Sequence, residues 1–367
     1  MSQRLVSQIL VIAALCAVVL WIVLTTQANL ERLGVHSGID FLWKRAGFEL
    51  SQSLIPFDSD STFARAFIVA LLNTLVLAFV SILMSSILGL TIGVSRLSHN
   101  WLLAKLATAY VEVFRNIPSL LQIFFWYFVV LRSLPGSRTS LQFLDCVFLN
   151  NRGLFLPFPT TGGGTIIIIS LLGLLLIGRG SRGRSKSTPA RWVGPAIGIG
   201  LLGIGSVTAG FAQWEVPALG RFSYEGGLVL MPEFLALTIG LSMYHATYIS
   251  EIVRSGFESV PNGQVEAADA LGMNRAQSLR LVLFPQALRV IIPPLTTVYL
   301  NLFKGTSLAA AIAYPEVVSV FVGTVNNLVG QPVAIMGMTL IVYAFVSLCI
   351  ALIMNWYNRR IASTGTT

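Results

Sequence analysis

The sequence predicts an all-α protein, a polytopic membrane helix bundle of about eight transmembrane helices. Three observations carry that prediction. Of 367 residues, 55% are hydrophobic and only 11% are charged; with a mean hydropathy of +0.78, this lies outside the range of soluble domains. The apolar residues gather into runs long enough to cross a hydrocarbon core of about 30 Å. The formal charge of +9 sits in the intervals between those runs, so it reads as a topology signal and not as a nucleic-acid surface.

The runs span about 8–26, 66–95, 107–134, 164–178, 192–211, 233–253, 290–312 and 334–356. The first follows Arg4 and lacks a small-x-small cleavage site between Leu24 and Asn29, so it reads as an uncleaved helix and not as a signal peptide. The second is the clearest, because Arg65 and Arg96 bracket an uncharged stretch. The fourth is short and follows Gly162, Gly163 and Gly164.

Orientation follows from Lys and Arg, which accumulate on the cytoplasmic side. An N-terminus inside assigns to that side Arg4, then Arg96 and Lys105, then Arg179, Arg182, Arg184, Lys186 and Arg191. Arg254, Arg275, Arg280, Arg289, Arg359 and Arg360 follow. The outside segments, 27–65, 135–163, 212–232 and 313–333, hold fewer. Both termini are therefore predicted cytoplasmic. The basic turn 179–191 also suits anionic lipid headgroups. Cys16, Cys146 and Cys349 form no CxxC pair and read as core residues; His36, His99 and His245 lie far apart, so no metal site is expected.

The interval from Arg254 to Arg289 is different in kind. Pro261, Asn262 and Gly263 form a turn signal, helix formers run from Gln264 to Leu271, and Gly272 can take the positive φ of a helix C-cap. A second short helix is predicted from Asn274 to Phe284, where Pro285 interrupts it. Such a helix-bend-helix presents Ala267, Ala268 and Leu271 on one side, with Glu266, Asp269 and Arg275 on others. Small residues admit another protein's groove while charges set register, so the segment reads as a docking surface or as an amphipathic loop on headgroups.

Glu266-Ala267-Ala268, Gly272 and Leu283-Phe284-Pro285 resemble the EAA loop of ABC importer permeases. The resemblance implies a coupling helix that fits a cleft in the ATP-binding subunit, with Glu266, Ala267, Ala268, Asp269 and Gly272 at the contact and Pro285 ending the support helix. It extends to the polar amino acid (histidine-type) branch and its general L-amino acid permeases. Leu71-Leu72-Asn73-Thr74-Leu75, Tyr110 to Pro118, Tyr248 to Arg254 and Pro285 to Arg289 carry it. The similar regions are about 62–134 and 228–357.

The family's five-helix type I importer core then corresponds to the second, third, sixth, seventh and eighth spans. The organisation expected is 1–65 (first helix and periplasmic segment), 66–134 (core), 135–232 (periplasmic loop, two extra helices and a basic turn), 233–357 (core with coupling loop 254–289) and a tail, 358–367. The resemblance also implies ATPase subunits carrying ATP and Mg, a related permease forming a heterodimer, a periplasmic amino acid binding protein, and an L-amino acid substrate. The bacterial inner membrane is the expected location.

Ionisable groups inside a bilayer are costly and raise functional hypotheses. Lys304 lies about 22 Å beyond Arg289 along a helix, where Lys304, Thr306 and Ser307 line a polar path or Lys304 snorkels outward. The family places an acid after this lysine; here it is Gly305. Asn73, Gln122, Tyr244 and Thr247 offer neutral hydrogen-bonding groups for a substrate cavity or for interhelical bonds. Glu112 and Arg115 are spaced to pair on one helix face, and Gly89 and Gly93 form a GxxxG spacing suited to helix contact, including one with a second subunit.

The chain carries no GxxxxGK[ST] phosphate loop, so ATP is assigned to a partner and this chain is expected to bind no cofactor itself. An independent secondary amino acid transporter or channel is the alternative, and it would need mid-membrane acids or inverted repeats. A membrane enzyme would need a cluster of His, Asp or Glu at one depth.

Overall fold

The computed structural model describes residues 3–32, 38–159, 199, 201 and 213–363. The spans predicted at 164–178 and 192–211, and the basic turn 179–191, therefore lie outside the described residues, apart from two isolated positions. The chain divides into two compact units, one of residues 1–123 and 237–367 and one of residues 124–236.

In the first unit, α1 (Gln3–Arg32) contains the first predicted span. Residues 38–62 pack on the start of α2, where Phe41 and Phe63 meet edge to face at 6.0 Å. Then α2 (Phe63–Arg96) begins at Thr62, whose hydroxyl accepts from the Arg65 N–H, and ends at Arg96, as the bracketing arginines predicted. α3 (Trp101–Asn116) is capped by Asn100. The straight third span predicted over 107–134 is instead broken at Ile117–Pro118, between α3 and α4 (Ser119–Leu131), whose residues from 124 on belong to the second unit. Pro118 forces Ile117 into extended backbone, φ −94° and ψ 125°. Gln122 Nε2 then donates to the carbonyls of Phe114 and Ile117, at 2.8 and 3.0 Å, satisfying groups that the bend frees.

α5 (Pro232–Glu258) covers the sixth predicted span. α6 (Asn262–Ala270) is short, and α7 (Arg275–Ile312), α8 (Val318–Val329) and α9 (Pro332–Ser363) follow. By length and composition α2, α7 and α9 can each cross a membrane, and α3 with α4 adds one broken span. Pro285 does not end a helix. The chain makes a wider turn over Leu279–Leu283, with the Phe284 N–H bonding the Leu279 carbonyl, and α7 continues through Pro285, Pro293 and Pro294. Proline costs a helix least where the preceding hydrogen bonds have already been rearranged.

The contact between α2 and α5 is made backbone to backbone. Ser81, Ser85, Gly89 and Gly93 recur every fourth residue on α2, and all are buried. Ser242 Oγ donates to the Ser81 carbonyl at 3.2 Å. A Cβ on Gly89 would lie 2.5 Å from Ile249 Cβ and 3.0 Å from the Ala246 carbonyl oxygen, and one on Gly93 2.7 Å from Val253 Cβ. The GxxxG spacing thus serves a partner inside this chain. Small residues are what let membrane helices approach this closely.

The second unit contains strands where the sequence suggested only loops. β1 (Leu141–Phe143), β2 (Val147–Asn150) and β3 (Gly153–Leu156) form antiparallel hairpins. β4 (Phe158–Pro159) pairs with β5 (Trp214–Glu215), and β6 (Ala218–Leu219) with β7 (Tyr224–Glu225). β8 (Leu228–Leu230) closes the four-stranded sheet in the order β1-β2-β3-β8. Tyr224 stacks on Phe148 at 4.2 Å to form its core. Gly153, at φ +132°, passes so close to the Leu230 carbonyl that a Cβ would lie 2.3 Å from it. The cysteines are not core residues: Cys16 is exposed, and Cys146 and Cys349 are half-buried.

Replacing Gly93 by Ala gains about 1 kcal/mol of helix propensity but overpacks a closed interface, at a typical cost of about 1–3 kcal/mol. Gly337, with open space around its Cα, supplies the control. Gly93→Ala is expected to lower the thermal unfolding midpoint in detergent and Gly337→Ala to leave it unchanged or raise it.

Candidate functional site

Three groups of residues in the first unit carry chemistry. The first is the α6 turn. α6 ends in a Schellman arrangement: the Gly272 N–H bonds the Asp269 carbonyl at 2.9 Å and the Met273 N–H bonds the Ala268 carbonyl at 3.1 Å. Gly272 takes φ +70°, the conformation its position predicted. Asn274 and Gln277 form a capping box that starts α7. Ala268 turns inward and is buried at 2%, whereas Leu271 is 75% exposed; Ala267 also faces outward, with Glu266 and Asp269. The outward face therefore combines an apolar tip with two carboxylates. Gln286 Nε2 donates to Gln264 Oε1 at 3.2 Å, tying α6 to α7.

Behind it, α5 and Val260 just after it pack on α7 through Ile249, Val253, Ala287, Ile291 and Val298. A Cβ on Gly256 would lie 2.3 Å from Ile291 Cγ1, so here too the helices are nearly in backbone contact. Alongside, Glu251 receives Arg96 of α2 at 2.6 Å and Arg254 at 2.5 Å, and Arg254 also reaches Glu258 at 2.6 Å.

The second group is a cavity of about 550 Å³ lined by Ser119, Tyr244, His245, Tyr248, Thr297 and Asn301, with Gly305 and Pro294 on its α7 wall. Pro294, Thr297, Asn301 and Gly305 lie three or four residues apart, so they share one face of α7. The Tyr244 and Tyr248 hydroxyls are 2.9 Å apart. His245 Nδ1 pairs with the Leu241 carbonyl, leaving Nε2 as its second polar atom. Arg115 lies over the Tyr248 ring at 5.6 Å, and no Glu112–Arg115 ion pair forms among the described residues. The lining itself contains no charged side chain.

The third group is a junction between α2, α7, α8 and α9. Glu316, fully buried, caps α8 by accepting from the Val318 and Ser319 N–H groups at 2.9 and 2.7 Å. It also accepts from the Tyr343 hydroxyl of α9 at 3.1 Å. Tyr343 in turn lies 3.2 Å from Thr306 Oγ1. Asn73 Nδ2 donates to the carbonyls of Pro315 and Gln52, and Thr74 Oγ1 accepts from the Val317 N–H. Burial pushes the Glu316 carboxyl up to about 7, against the lowering effect of its hydrogen bonds.

Of the seven polar residues proposed for a substrate path, only Tyr244 lines the cavity. Asn73 and Gln122 are committed to backbone carbonyls. Thr247, Thr306 and Ser307 return their hydroxyls to carbonyls one turn back. Lys304 is exposed. Sequence reasoning missed His245, Asn301, Ser119 and Glu316. The fourfold-spaced polar face of α7 was the available signal for Asn301; for Glu316 the local signal was its place two residues before Val318, as a helix cap, while its remaining partner, Tyr343, comes from α9.

Long apolar helices around a polar cavity, with a short exposed helix beside a bend, define an integral-membrane translocation subunit. Residues 185–363 match the family described as the binding-protein-dependent transport system inner membrane component. YhdX of Escherichia coli strain K12, described only as a candidate amino-acid ABC transporter permease, is 48% identical over 97% of this chain and 93% of its own. The general L-amino acid transport system permease protein AapQ of Rhizobium johnstonii is 47% identical over 97% and 91%. The glutamate/glutamine/aspartate/asparagine transport system permease protein BztB of Rhodobacter capsulatus is 35% identical over 96% and 92%. The chain belongs to this family of ABC transporter permeases.

Glu316 makes stability depend on pH. Its folded value, about 7, exceeds the ordinary 4.5, so the unfolded chain ionises first and stability falls as pH rises between those values, then levels. Glu316→Gln is expected to flatten that fall when unfolding midpoints are compared from pH 4.5 to 8. Parallel slopes in both proteins would refute it.

Proposed function

We propose that this chain is the translocation subunit of an importer of polar or general L-amino acids, powered by separate ATPase subunits that dock on α6. The observation that carries this reading is the α6 turn: Glu266, Ala267 and Leu271 face outward on a helix closed by Gly272 at φ +70°. An apolar tip flanked by carboxylates suits a protein groove better than a headgroup layer, because anionic lipid repels carboxylates. The near full-length likeness to permeases of amino acid systems supports the substrate class.

In this reading the α6 side is cytoplasmic, as are both termini. A binding protein delivers substrate on the opposite, periplasmic side, and a related permease pairs with this one. The cavity between α5 and α7 is the substrate chamber. Its hydroxyls, the Asn301 amide and His245 can hydrogen-bond an ammonium or a carboxylate without presenting an opposing charge. An uncharged lining holds a charged substrate weakly enough to release it, which a translocation route requires. Lys304, Thr306 and Ser307 then lie beside the chamber wall at Gly305. ATP and Mg belong to the partner.

The test is co-purification with candidate ATPase subunits followed by ATP-driven uptake. Glu266→Arg reverses a docking charge, and Gly272→Val forces a β-branched residue into the left-handed region at a cost of about 1–2 kcal/mol. Both are expected to lose ATPase association and uptake together. Uptake that persists with no ATPase present would sink the reading. Within an assembled complex, Asn301→Leu is expected to raise the KM for uptake by about tenfold, the effect of losing one or two hydrogen bonds.

A further inference from the structure

The α2–α5 interface has two parts of different mechanical character. Along Ser81, Ser85, Gly89 and Gly93 the α2 surface is small; Ile249 and Val253 of α5 seat on Gly89 and Gly93, and Ser242 bonds the Ser81 carbonyl. Such a stripe permits close approach. Packed helices shear by small displacements unless further contacts hold their register. One turn past the stripe the contact becomes ionic, where Arg96 Nη1 meets Glu251 Oε2 and Arg254 Nη2 meets Glu251 Oε1. One carboxylate is thereby gripped on both oxygens, from α2 and from its own helix.

The placement of this contact is informative. Glu251 lies on the stretch of α5 that packs with α7, and Val260, in the link between α5 and α6, belongs to the same apolar cluster. A force applied to α6 therefore reaches α5 through that link, as it reaches α7 through Gln286, and reaches α2 through whatever fixes α5 against it. The network is a poor stabiliser for what it contains. Glu251 and Arg254 side chains are 34% and 30% exposed, where ion pairs contribute little, whereas Arg96 is 12% exposed. The Nε atoms of both Arg96 and Arg254 are buried and find no partner among the described residues, which costs stability.

We propose that Glu251, held by Arg96 and Arg254, is a positioning residue for transport: it fixes the axial register of α5 against α2 at the end nearest α6, so that displacement of α6 moves α2 with α5 instead of shifting α5 alone. Arg96 is the sole charge that α2 contributes to the contact, and Arg254 preorganises the carboxylate. The inference rests on the reading of α6 as the ATPase docking element.

The experiment uses the complete transporter reconstituted in vesicles, with a radiolabelled L-amino acid mixture as the probe. Wild type, Glu251→Gln, Arg96→Met and Arg96→Lys are compared for assembly with the ATPase, basal ATP hydrolysis, and substrate moved per ATP hydrolysed. Glu251→Gln and Arg96→Met keep the shape of the contact and remove its charge. They are expected to assemble and hydrolyse ATP at the wild-type basal rate while substrate moved per ATP falls about fivefold or more, the size of a modest coupling free energy. Arg96→Lys, which restores the charge, is expected to recover most of the ratio. An unchanged ratio in Glu251→Gln overturns the proposal. So does a loss of assembly that Arg96→Met and Glu251→Gln share, since that marks a merely structural contact. A wild-type complex that shows no ATP-driven uptake overturns the functional reading itself, and this inference with it.

Discussion

The close approach of α2 to α5 is the constraint on which the first unit depends. Between helices in lipid there is no hydrophobic drive to associate, so contact must come from packing and from hydrogen bonds. Four small residues at fourfold spacing remove the side chains that would hold the helices apart. Ile249 and Val253 of α5 fill the space above Gly89 and Gly93. With that edge of α5 fixed, Gly256 brings its other edge against Ile291 of α7. The cavity then opens on the α5–α7 side, where Tyr244, Tyr248, Thr297 and Asn301 are larger and polar. Glycine on one helix thus decides where the chain is closed, and tyrosine and asparagine on the next decide where it is open.

The two ends of this bundle are finished by different chemistry. At one end a carboxylate is shared by two arginines, the Glu251 and Arg254 side chains being partly exposed and Arg96 nearly buried. At the other, Glu316 is wholly buried and is satisfied by N–H and O–H donors, with no cation among the contacts its carboxylate makes. A buried carboxylate without a cation is held toward its neutral form. The first arrangement ties α2 to α5 through charge; the second ties the start of α8 to α9 and, through Tyr343, to Thr306 of α7.

Much of the first unit was legible because its signals are local. Arg65 and Arg96 bound α2, Gly272 and Asn274 shape the α6 turn, and each acts within one turn of itself. Gln122 and Asn73 were equally visible as buried polar residues on membrane helices, but composition does not state whether such a group serves a ligand or a carbonyl. The deciding facts were the Ile117–Pro118 bend and the Pro315 carbonyl, both distant in sequence or in effect. The GxxxG spacing likewise announced a close neighbour without naming it. Pro285 was misleading because the wide turn at Leu279–Leu283, which absorbs it, carries no residue-type signature of its own. The strands of the second unit are only two to four residues long, too short for a period to register, and β3 finds β8 across more than seventy residues.

Gly305 shows how one missing side chain links these features. It follows Lys304, faces the cavity, and would place a Cβ 3.4 Å from Leu241 and 3.9 Å from His245. Those are ordinary contact distances, so no steric demand requires glycine here. What its absent side chain provides is access: the α7 wall stays low beside His245, and the imidazole, already bonded at Nδ1 to Leu241, is exposed to the cavity by its remaining edge. At Gly89 and Gly93, by contrast, a Cβ would collide with the next helix. The same residue type therefore closes the bundle on one face of α5 and keeps it open on the other, and only the distances to the neighbouring helix distinguish the two uses.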